Sequence, residues 1–188
     1  MKPSFPLAAA VLAAAFALPA SAQQKLIPAQ SDIAFSVKQM NVPVEGHFKK
    51  FDAQLALDPK KPEGGKVSIV IDTASAGFGV ADADTELPKA PWFAVAKFPQ
   101  ATFQSSAIKG AGPGKLEVAG KLTVKGNARD VTVPVTLTQA GGVTTASGTF
   151  AIRRLDFKIG EGEWTDTSMV ANDVQVKFKL AFSGVGPL

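Results

Sequence analysis

The side chains of this chain that could do chemistry are few. Among 188 residues there is one histidine, His47, with no cysteine and no tyrosine. Metal and triad chemistry usually draws on imidazole, and without cysteine there is neither a thiol nucleophile nor a thiolate metal site. His47 stands between Gly46 and Phe48 in an alternating stretch and has no partner of the kind a mechanism needs, so it reads as a structural hydrogen-bonding residue. Asp82, Asp84 and Glu86 alternate in an irregular segment that lacks the oxygen-rich loop of an EF-hand. They read as a solvated face or a helix start rather than a cation site. Arg153 and Arg154 are neighbours on an expected strand and must point to opposite faces. One of them can face an interior or its mouth and meet a phosphate or carboxylate head group as a bidentate donor. The alternative is a cross-strand ion pair with Asp156 or Asp130. Trp164, set among Gly160, Glu161, Gly162 and Glu163, is expected to plug one end of the fold, because buried aromatics mainly supply packing area. The inventory points away from an enzyme and predicts no cofactor and no metal.

The elements that must position these residues alternate with period two, the mark of strands with one buried face. Ile33, Phe35 and Val37 form one such set, followed by Phe51, Ala53, Leu55 and Leu57, and then by Val67, Ile69 and Ile71. The stretch 101–108 adds a fourth strand. Leu116, Val118, Gly120, Leu122 and Val124 run to a hairpin turn expected at Gly126-Asn127, and Val131, Val133, Val135 and Leu137 follow it. A strand with Phe150 and Ile152 and a last one from Val174 to Phe182 bring the expected count to about eight. Pro134 inside its run calls for an edge or a bulge. The segment 74–98 breaks the pattern with Gly77, Gly79, Pro88 and Pro91 and carries Phe78, Leu87, Trp92, Phe93, Val95 and Phe98. Short helical turns are expected in it at 81–87 and 91–94, within a long insertion over one end of the sheet. An antiparallel sheet of this size removes its edges by closing into a barrel, although a sandwich remains open on the pattern alone. Strands of about eight residues at about 3.3 Å each would enclose a space roughly 25 Å long.

The chain opens with Met1-Lys2, an apolar run from Leu7 to Leu18 and an Ala20-Ser21-Ala22 end, the pattern of a cleaved secretory signal peptide. The run is too short to span a bilayer, which needs about 20 apolar residues. Domain 1–22 is therefore expected to be removed, leaving a single domain over 23–188 in an exported, periplasmic protein. Loss of Lys2 lowers the net charge from +4 to +3, and the remaining cations are scattered, which argues against nucleic acid as a partner.

Particular stretches resemble a known family. Ser31-Asp32-Ile33-Ala34-Phe35-Ser36-Val37-Lys38, then Val44-Glu45-Gly46-His47-Phe48 and Phe51-Asp52, resemble the opening of the YceI-like periplasmic proteins, the polyisoprenoid-binding, lipocalin-like family. The stretch 67–75, Trp92-Phe93, Lys97-Phe98-Pro99-Gln100-Ala101-Thr102-Phe103, 122–126 and Arg153-Arg154-Leu155-Asp156-Phe157 continue the likeness in order over nearly all of 23–188. The resemblance implies an all-β, antiparallel eight-stranded lipocalin-like barrel with a short helical insertion, holding a polyisoprenoid or similar apolar lipid in a long tunnel, with a possible homodimer. It places Phe35, Val37, Phe51, Leu55, Ile69 and Trp92 in the tunnel wall. Phe93, Phe103, Leu122, Phe150, Phe157 and Phe178 are expected to complete the wall. Departures fall at polar positions: Gln39 where the family has histidine, Glu86 where it has histidine again, and Lys158 where it has glycine. Two other functions are compatible with the chain, a quinone-linked electron-transfer accessory and a stress-related interaction protein with a solid core.

Overall fold

The computed structural model describes residues 23–188, so the expected signal peptide lies outside the described residues. The alternating runs form the strands β1 (Lys25–Leu26), β2 (Asp32–Gln39), β3 (Val42–Phe48), β4 (Phe51–Ala56), β5 (Lys66–Asp72) and β6 (Ala76–Gly77). After the helix α1 (Ala81–Glu86) come β7 (Gln100–Gly110), β8 (Lys115–Val124), β9 (Asn127–Ala140), β10 (Val143–Arg153) and β11 (Val170–Ser183). They make one antiparallel sheet in the order β4-β5-β7-β8-β9-β10-β11-β2-β3-β6, with β1 paired to the far end of β11. The sheet is curled into a half-barrel with one short helix.

This corrects the expected closed barrel of eight strands, since the sheet has eleven strands, ten of them on a hydrogen-bonded path with two free ends, at β4 and β6, and β1 off that path. The strands that the pattern missed have a physical reason. Strands β1 and β6 have two residues each, too few to show a period. In β3 the inward position between Val44 and Phe48 is Gly46, which carries no side chain to register.

Hairpin geometry fixes the register. Met40 and Asn41 between β2 and β3, Lys125 and Gly126 between β8 and β9, and Gly141 and Gly142 between β9 and β10 all have positive φ, as two-residue I′ turns require. The expected turn at Gly126-Asn127 is therefore one residue earlier, because Asn127 already pairs with Val124. Pro134 lies beyond the last β9–β10 pair, which runs from Val143–Ala140 to Ser147–Thr136, so it stands on the local edge that its missing N–H demands.

The open seam between β4 and the β11–β1 end is bridged by a side chain. Gln24 Nε2 donates to the Leu57 carbonyl at 2.7 Å while the Leu57 N–H donates to Gln24 Oε1 at 2.9 Å, so an amide side chain stands in for a strand's peptide group.

Candidate functional site

The inward faces of the strands surround an internal cavity of about 220 Å³. Of the residues expected in its wall, Phe35, Val37, Leu55, Ile69, Trp92, Phe93, Phe103, Leu122, Phe150, Phe157 and Phe178 all border it. Phe51 does not. It begins β4 at the corner after Lys50, and its ring packs with the separate cluster of Ile33, Ala53, Leu180, Phe182 and Val185. The wall also includes Phe48, Phe78 and Leu87, which the alternation gave no reason to single out.

The hollow survives because aromatic rings lie down against glycines. A Cβ on Gly46 would come 2.5 Å from Phe35 Cζ, and one on Gly120 would come 2.5 Å from Phe103 Cζ. Gly148 stands in the same relation to Phe178, its directly opposite neighbour on β11. A ring that covers a glycine on the next strand lies along the sheet instead of projecting across the interior.

The insertion after β6 covers one end of the cavity through aromatic contacts. Phe78 meets Phe35 edge-on at 5.3 Å between ring centres, and Phe93 meets Phe48 at 5.9 Å. Trp92 packs on Trp164 at 5.4 Å. Trp164 thus helps to close that end, but through Trp92 rather than from within the cavity wall. The carboxylate of Asp84 accepts from the Phe78 and Gly79 N–H groups at 2.6 and 3.2 Å, folding α1 back on the strand before it, and Glu86 pairs with Lys89. Among the described residues, no three His, Cys, Asp or Glu side chains gather as a metal site would need.

Two cations lash this capped end. Arg154 is only 2 % exposed, and all of its N–H groups are directed at carbonyls. Nε donates to Ala171 at 3.0 Å, Nη1 to Ile159 and Gly160 at 2.9 and 3.2 Å, and Nη2 to Trp164 and Val170 at 2.6 and 2.7 Å. Burial lowers the guanidinium pKa from its ordinary value. Although Arg154 borders the cavity, a guanidinium has five N–H donors, so none is left for a head group. Arg153 is exposed, and Asp130 pairs with Lys121 rather than with either arginine. The second cation, Lys125, was not foreseen. Its ammonium donates to the carbonyls of Ala90 and Lys158 and to Glu161 Oε2 at 2.7, 2.8 and 2.8 Å, with Pro91 O at 3.3 Å. The hydrogen bond and charge of Lys125 hold the Glu161 carboxyl below the usual carboxylate range. A lysine at a hairpin turn ordinarily signals solvent, and only the return of two loops over that turn buries this one. Inside this cap, Trp92 Nε1 is the one buried side-chain polar atom without a partner among the described residues.

A second, polar groove of about 400 Å³ lies at the β3–β4 corner, bordered by Pro28, Ser31, Asp32, His47, Phe48, Lys49, Lys50 and Phe51. His47 Nδ1 is 3.0 Å from Asp32 Oδ1, and its Nε2 is 3.5 Å from Glu45 Oε1, the structural role expected of it.

Comparison with known proteins agrees with this architecture. The family model described as a YceI-like domain matches residues 25–182. Protein YceI of Salmonella arizonae is 44% identical over 92 residues, which are 49% of this chain and 46% of the relative, so the match spans about half the length of such curated relatives. The crystal structure of Burkholderia cenocepacia BcnA is 47% identical, with a TM-score of 0.81 over 84% of this chain and 99% of that one. A polyisoprenoid binding domain from Saccharophagus degradans, implicated in plant cell wall breakdown, shares the fold at 15% identity, with a TM-score of 0.70 over 86% of this chain and 98% of that one.

Proposed function

This chain belongs to the YceI-like family, and from that premise we propose that it binds a polyisoprenoid or similar long-chain apolar lipid in its cavity and carries it through the periplasm. The observation that supports the reading best is the cavity wall, built from Phe, Ile, Leu, Val and Ala with Trp92, whose Nε1 is buried, and an arginine whose donors are already engaged. Such a wall offers nothing to a polar substrate and favours hydrocarbon, at about 0.8 kcal/mol per buried methylene before the costs of association and ordering. The shared fold of the Saccharophagus degradans domain supports the same ligand class. A hollow lined by aromatics also weighs against the solid core required by an interaction protein that works only through its outer face.

The cavity of about 220 Å³ is below the roughly 300–1,000 Å³ of ordinary small-molecule sites. A long chain must therefore spread the aromatic rings as it enters or leave part of its length outside. Binding rather than catalysis is the role this site supports, and the short wall contacts at the capped end give the chain a closed terminus.

The test is native mass spectrometry of the protein purified from its own periplasm, before and after extraction with organic solvent. A discrete added mass that disappears on extraction is expected. A bare protein mass that stays bare when prenyl lipids are offered would overturn the reading.

A further inference from the structure

We infer that the groove at the β3–β4 corner is the seat of the ligand's polar end, and that this end is an anionic group, a phosphate or a carboxylate, held by Lys49 and Lys50. The inference rests on the lipid-binding reading above and adds to it a site and a head-group class.

The cavity itself cannot receive a charged end. Its wall is hydrocarbon apart from Arg154, whose N–H groups are all engaged, and Trp92, whose Nε1 is sealed by its surroundings. An ion placed there would lose its hydration without a counter-charge. The polar end must therefore leave the cavity, and the break in the sheet shows where. Strand β4 pairs only with β5, and β2 has its neighbours in β11 and β3, so no backbone ladder joins Asp32 to Phe51 across the seam. The polar groove occupies this gap, and Phe48 belongs to both its wall and the cavity's. Phe48, whose ring packs on Phe35 and Phe93, is the side chain the two spaces share, and a chain passing from one to the other has to displace that ring.

Elimination among the groove's polar groups gives the chemistry. Ser31 Oγ donates to Ile27 O and accepts from Ala181 N. The backbone N–H groups of Lys49 and Lys50 donate to Ser75 O and Ser75 Oγ. Asp32 and Glu45 both lie against His47. The ammonium groups of Lys49 and Lys50 are exposed and meet no carboxylate among the described residues, which leaves them as the donors facing a ligand. Their backbone is fixed, because Asp72 N also donates to Lys50 O, so two positive charges are presented at one corner rather than on a free loop.

The experiment compares geranylgeranyl phosphate, geranylgeraniol and inorganic phosphate as ligands, followed by tryptophan fluorescence since Trp92 lies in the cavity wall. Wild type is expected to bind the phosphorylated chain about three- to tenfold more tightly than the alcohol, as two partly exposed charge contacts allow. The preference should shrink as salt rises. In the double variant Lys49→Gln, Lys50→Gln, the alcohol should bind as before and the preference should vanish. Equal binding of alcohol and phosphate by wild type, or a preference that survives the double variant, overturns this inference and leaves the lipid-binding reading intact. Inorganic phosphate binding as tightly as the phosphorylated chain would also overturn it, by showing a free-anion site. Failure of both prenyl ligands to bind overturns the lipid-binding reading, and this inference with it.

Discussion

At the scale of single residues, the cations of the capped end are structural rather than receptive. Arg154 gathers carbonyls from Ile159 to Ala171 that no strand or helix satisfies, and Lys125 does the same for Ala90 and Lys158. A lysine in place of Arg154 keeps the charge but supplies three donors instead of five. Hydrogen bonds to charged groups are worth about 1.5–3 kcal/mol each, and partial replacement recovers some of that. The variant Arg154→Lys is expected to lose about 2–4 kcal/mol, a fall in melting temperature of roughly 5–15 °C by differential scanning calorimetry. An unchanged melting temperature would mean that the carbonyls find water instead. The sequence placed both arginines on one strand with opposite faces, but β10 ends at Arg153 and Arg154 opens a 3-10 turn, so their different burial comes from that turn and not from strand alternation. Which of them would be buried, and that its partners would be carbonyls, depended on the chain that follows, which folds back from 5 to 17 residues further on.

At the scale of elements, the pairing of phenylalanines with glycines on adjacent strands sets how much interior is left. Phe35 faces Gly46 directly across the β2–β3 ladder, in a hairpin whose turn at Met40 and Asn41 holds the register. Replacing Gly46 by alanine puts a methyl group where the Phe35 ring now lies and 2.9 Å from the Gly77 carbonyl oxygen, so β6 must give slightly and the ring must swing toward the cavity. Gly46→Ala is therefore expected to weaken binding of a prenyl ligand about tenfold or more while the far-ultraviolet circular dichroism stays native; undiminished affinity would show that the ring has room elsewhere. Overpacking of this kind typically costs about 1–3 kcal/mol. Strand β3, noticed only around His47, stayed out of the expected count because its inward glycine leaves a gap in the apolar period.

At the scale of the whole molecule, closure is shared between backbone and side chains. Ten strands follow one another through the sheet from β4 to β6, and β1 joins at β11. The remaining gap is crossed by the Gln24 amide on Leu57, while the corner bonds at Lys49 and Lys50 extend the β3–β6 and β4–β5 pairings by one residue each. Gln24→Ala should leave the sheet folded but free the Leu57 N–H, so hydrogen exchange at Leu57 is expected to accelerate while the β8–β9 ladder stays protected. Equal exchange rates in both proteins would show that the seam is held by packing alone. The loss should amount to about 1–2 kcal/mol, the worth of the two hydrogen bonds.

The sequence alone was enough for the all-β class, the positions of the long strands, and the irregular insertion with its short helix; the cavity-wall residues came from the family resemblance. The first three follow from period-two alternation and from Gly and Pro placement, which are local properties of the chain. It could not determine the number of strands, the open seam, the burial of Lys125 or the exhaustion of Arg154's donors. Each of those depends on which distant backbone groups come to lie beside one another. Phe51 shows the boundary most clearly: the resemblance assigns it to the cavity wall, but it packs with the second cluster and borders the corner groove instead. A period tells which side of a sheet a residue faces, and tertiary structure decides what it faces there.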